Sequence, residues 1–82
     1  MDFLLIFAGL KENAEMIKNL PMKCSRDEYK ERIDRMHNIH ISVKSLIKNS
    51  SEISKENLKK AKRFAEELYD EINSMLDAYH EW

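Results

Sequence analysis

Three histidines, one cysteine and a run of carboxylates are the side chains of this sequence with chemistry to offer. His37 and His40 stand three apart, with Asp34 one turn before His37. On a helix this spacing puts imidazoles and a carboxylate within reach of one transition metal. The set stops short of a full ligand shell, because the third histidine, His80, lies far along the chain. The plainer expectation is a surface His37 and a neutral His40 on an apolar helix face, hydrogen-bonded to a neighbour. Glu66, Glu67, Asp70 and Glu71 hold a hard cation only if a second acidic helix faces them, and Glu12 with Glu15 is the pair on offer. A solvated helix face accounts for the run more simply. Cys24 precedes a helix start, where a thiolate is mildly favoured, but no histidine stands near it in sequence. No catalytic, cofactor-binding or metal-ligating residue is assigned. Without a Gly-rich loop or a nucleophile with its base, the chain is expected not to be an enzyme.

Arg32 and His37 also make an Arg-x4-His spacing. It resembles the short motif of the HEPN ribonucleases, helical dimers that bring two such motifs together for metal-independent RNA cleavage. The match covers these two residues. What the resemblance implies is a helical ribonuclease in which His37 does acid/base chemistry and Arg32 stabilises phosphate charge. It is carried as the more distant of two alternatives.

Charge order says more than any of these groups. Lys55, Lys59, Lys60, Lys62 and Arg63 occupy the first half of the last helical segment, and Glu66, Glu67, Asp70, Glu71, Asp77 and Glu81 the second. A helix macrodipole favours the reverse order, so something outside the helix is expected to compensate. Lys62 with Glu66 and Arg63 with Glu67 are spaced to pair, in the weaker cation-first order. Lys44 and Lys48 precede the turn into this segment and join the same patch. Antiparallel self-association would lay basic half on acidic half. Phosphate or nucleic-acid binding at the basic end is the alternative, and solvated charges that serve no partner are the plainer account of the same pattern.

These side chains are positioned by helices. One Gly, one Pro and 43% apolar residues indicate an all-α chain. Phe3, Phe7, Leu10, Ala14 and Ile17 recur by fours and threes until Pro21 stops the segment. Gly9 within it suggests a neighbour packed close to the backbone. Ser25 to Glu28 reads as a capping box. Tyr29, Ile33, Met36, His40, Val43 and Ile47 then form the second stripe, widened by Ile39 and Leu46, and Asn49-Ser50-Ser51 ends it. Ser54 caps the third helix, with Ile53 and Leu58 as a hydrophobic staple, and Ser51 is an earlier alternative start. Leu58, Ala61, Ala65, Leu68, Ile72, Met75, Tyr79 and Trp82 keep the alternation to the last residue.

The expectation is a single domain over residues 1–82 with helices at about 3–20, 26–48 and 55–81, in an antiparallel, up-down-up three-helix bundle. At 1.5 Å per residue the helices span roughly 27, 34 and 40 Å, so the end of the third is expected to overhang. The apolar start, from Phe3 to Ala8, is too short for a membrane span and lacks the positive flank of a secretory signal, so no membrane partner is expected. A lone cysteine fits a reducing cytoplasm, and a net charge of -1 names no partner class. The apolar residues exceed what a three-helix core uses. A homodimer or a protein partner is expected to cover Phe3, Leu4, Ile6, Phe7, Tyr79 and Trp82, giving a larger helical bundle. The function expected is protein binding by a small regulator, inhibitor or assembly subunit with no cofactor.

Overall fold

The computed structural model describes residues 2–50 and 53–82. Three helices, α1 (Phe3–Lys18), α2 (Arg26–Asn49) and α3 (Lys55–His80), follow one another without a strand among the described residues. Each start is capped by a side-chain oxygen. Ser25 Oγ accepts from the Glu28 amide at 3.1 Å and Ser54 Oγ from the Asn57 amide at 3.2 Å. Asp2 caps α1 by accepting from the Leu4 amide at 3.1 Å, a cap the sequence reading did not assign. The alternative start at Ser51 lies outside the described residues. α1 ends at Lys18, two residues early, because Pro21 pushes Leu20 away from helical backbone.

The packing is up-down-up. Phe3 and Phe7 at the start of α1 meet Ala61 at the start of α3, with Leu46 and Ile47 from the end of α2 packed on them. Further along, Ala14 and Ile17 join Met36, Ile39, Val43, Leu68 and Ile72 in the main core. α2 is the central helix, packed along both neighbours and more extensively on α3. Met36, Val43 and Ile72 are the largest fully buried side chains, each contributing about 1.5 to 3 kcal/mol by leaving water. Among the described residues the core holds no buried polar or charged residue.

Four expectations are corrected here. His40 is half-buried at the edge of the α2/α3 seam, and its neighbour Ile39 takes the core position. The rest of the α2 stripe holds, with Ile33, Met36 and Val43 buried; at this one position α2 must serve α1 on one flank, through Ile39, and α3 on the other, through His40. Gly9 faces open space, with nothing within 4 Å of where a Cβ would stand, so no close helix contact explains it. The end of α3 does not overhang. At 1.5 Å per residue α2 and α3 are about 36 and 39 Å long within a molecule of 44 × 18 × 16 Å. The Tyr79 ring lies under the Arg26 guanidinium at 4.3 Å, and Trp82 lies against Tyr29 at 5.2 Å. Phe3 and Phe7, expected at a partner interface, are buried in the chain's own core, where Phe7 meets Phe64 edge to face at 5.6 Å.

Candidate functional site

The first turn of α2 and the last turn of α3 build a compact cluster with the α1–α2 connection. Arg32 Nη1 donates to the Pro21 carbonyl oxygen at 2.7 Å, strapping the connection to α2. The Tyr29 hydroxyl is held above its ordinary pKa, first by burial and then by Cys24 and Glu71, while Arg32 works the other way. Arg32 is therefore engaged in holding the chain, and His37 stands exposed. Five helical residues turn the two side chains about 140° apart, so one chain does not bring them together on one face.

The seam between α2 and α3 contains the histidine of interest. His40 lies 6.1 Å from the Tyr69 ring, ring centre to ring centre. A shallow cleft of about 400 Å³ opens beside them, lined by His40, Lys44, Ala65, Glu66, Tyr69 and Asp70. The imidazole is held below its usual pKa, chiefly by burial, then by Lys44 and His37, with the Ala65 backbone opposing. Among the described residues, no three His, Cys, Asp or Glu side chains converge into a metal-holding set. The acidic run of α3 is exposed apart from the half-buried Glu71, as is the Glu12 and Glu15 pair on α1.

At the opposite end lies the basic patch. Lys44, Lys48, Lys55, Lys59, Lys60, Lys62 and Arg63 are all exposed. Lys60 pairs with Glu56 at 3.7 Å and Arg63 with Glu67 at 3.4 Å. The other five have no ion-pair partner among the described residues. Both pairs are solvated and contribute little.

Apolar surface remains on α1. Leu4 and Ile6, two of the residues expected to bind a partner, stay accessible to different degrees, Leu4 exposed and Ile6 half-buried. Leu5, part of the apolar surplus but not among the six residues expected to bind a partner, and Met16, which was not singled out from sequence, are 72% and 62% exposed. With Gly9 and the exposed Glu12 they follow one line along the outer side of α1, turned away from Phe3, Phe7, Ala14 and Ile17. The signal was available in the sequence, since Leu5 and Met16 lie half a helical turn from the buried stripe. On the α2 side of α1, Ile6 and Leu10 border an open groove of about 890 Å³ with Ile41, Ser42, Ser45 and Leu46. Trp82, although it touches Tyr29, keeps about half its surface in water.

Fold and surfaces together define a short three-helix bundle with an apolar ridge, a seam cleft and a basic end. Compared with protein families, curated proteins and solved structures, the chain finds no match in any of the three. No helix among the described residues is long and apolar enough to cross a membrane.

Proposed function

We propose that this protein is a small helical interaction module, working as a regulator, inhibitor or assembly subunit, that docks a protein partner on the outer face of α1. One observation carries this reading: α1 is apolar on both sides. Its inner stripe is spent on the core, while Leu5 and Met16 stand exposed on the outer side of the same helix. A helix that keeps exposed apolar residues away from its buried stripe is suited to lie between two packed bodies. Glu12 is the one charge on this line, between Gly9 and Met16, in a chain with 35% charged residues, so the apolar residues on either side of it suit the ridge of another helix better than an ionic ligand. The lone Cys24 suits a reducing cytoplasm. No enzymatic role is proposed.

The test uses the full chain purified from its native cell with whatever protein accompanies it, then reconstituted from the two purified components. Leu5→Glu/Met16→Glu is expected to weaken that complex at least about tenfold, or roughly 1.4 kcal/mol, while circular dichroism stays unchanged. A reconstituted complex as tight with the variant as with the wild type would overturn the reading.

The basic end supports a second reading, binding of nucleic acid or another polyphosphate, because five of its cations are unpaired among the described residues. Fluorescence anisotropy with a labelled oligonucleotide over a salt series tests it, since phosphate contacts make affinity fall steeply with salt. No binding at low salt would dismiss it.

A further inference from the structure

The α2/α3 seam supports an inference separate from the α1 ridge: we infer that two copies of this chain pair antiparallel across the seam, each inserting Tyr69 into the other's cleft. Tyr69 is 57% exposed at mid-helix, directly beside the recess formed with His40, Lys44 and Ala65. A large exposed aromatic next to a recess is self-complementary about a twofold axis, because each copy offers both the knob and the hole. Tyrosine is also a residue type that concentrates interface energy.

Charge complementarity identifies the occupant as a second copy. Lys55, Lys59, Lys62, Glu66, Asp70 and Asp77 lie along the outer line of α3 at steps of three, four and seven, with Glu81 just past its end, cations first and carboxylates after. All are exposed. If Tyr69 of one copy sits level with Ala65 of the other, antiparallel pairing brings Lys62, Lys59 and Lys55 within about a helical turn of Asp70, Asp77 and Glu81 of the second copy. Parallel pairing would set like charges together. The charge order that opposes the macrodipole within one chain is thereby offset between two. Ile39 faces α1 and His40 faces α3, so the pairing leaves the outer ridge of α1 free on each copy.

Sedimentation equilibrium of the full chain tests this with two charge-reversed forms, Lys59→Glu/Lys62→Glu and Asp70→Lys/Asp77→Lys. The wild type is expected to dimerise, and each variant alone to dimerise at least about tenfold more weakly. An equimolar mixture of the two variants is expected to regain the wild-type affinity, because the reversed faces match each other again. Tyr69→Ala is expected to weaken the dimer by at least a similar factor while circular dichroism shows an intact fold. A wild type that stays monomeric at on the order of 100 μM, or a dimer unmoved by these variants and by mixing them, would overturn the inference. Leu5→Glu/Met16→Glu is expected to leave this dimer intact, so the seam and the α1 ridge fail independently.

Discussion

Tyr29, in the first turn of α2, and Trp82, the last residue of the chain, meet at 5.2 Å between ring centres with their planes tilted by 46°. The contact closes the end of the molecule that α1 does not reach, where the core of Ile33 and Ile72 gives way to half-buried side chains. An aromatic pair of this kind contributes about 0.5 to 1.5 kcal/mol beyond the area it covers. A double-mutant cycle of Tyr29→Ala and Trp82→Ala, measured by urea unfolding, is expected to return a coupling in that range. Zero coupling would mean that the two rings do not meet in solution.

Leu68 is 3% exposed in the main core between α1, α2 and α3. Replacing it with alanine removes buried methyl groups and leaves a cavity that rigid neighbours cannot close. Leu68→Ala is expected to cost about 2 to 5 kcal/mol, measured as a fall in the urea midpoint at unchanged slope. A loss below about 0.5 kcal/mol would place the packed face of α3 elsewhere.

Gly9 sits inside α1 with free space around it and an ordinary helical backbone, since no residue among those described has a positive φ. Its conformational freedom is spent without a packing return. Gly9→Ala is expected to raise stability by up to about 1 kcal/mol, read as a higher thermal midpoint. A drop would reveal that some body approaches this backbone in solution.

His40 makes stability depend on pH in a known direction. Its folded pKa lies below the ordinary value of 6.5, chiefly because burial disfavours the imidazolium. The folded state therefore binds the proton less readily than the unfolded state. The full stability is present above 6.5 and declines as pH falls from there toward the folded pKa, below which the His40 contribution levels off. Comparing wild type with His40→Gln between pH 8 and 5 isolates this from the carboxylates. The wild type is expected to lose more stability on acidification than the variant, and NMR titration to show a depressed His40 pKa. An elevated value would mean that Glu66 or Asp70, across the cleft, holds the charged ring.

What the sequence determined by itself is local. Three-four periodicity, caps at Ser25 and Ser54 and the stop at Pro21 are interactions between residues a few positions apart, so they specify three helices and short connections before any packing exists. Short connections then leave antiparallel neighbours as the available arrangement. Tertiary structure decided what depends on rotation about each helix axis. Ile39 and His40 are consecutive, and both belong to a stripe wide enough to be core; only the simultaneous fit of α2 against two helices sends Ile39 inward and leaves His40 at the seam. On α1 the spacing already set Phe3 and Phe7 apart from Leu5 and Met16; tertiary structure decided that the two rings meet Ala61 of this chain's own α3. Whether α3 overhangs was settled in the same way, because Arg26 and Tyr29 reach Tyr79 and Trp82 only when α2 and α3 are set in register. A stripe read from sequence has a width of about 100° or more, and the choice of which edge of it meets a neighbour belongs to the crossing of the helices.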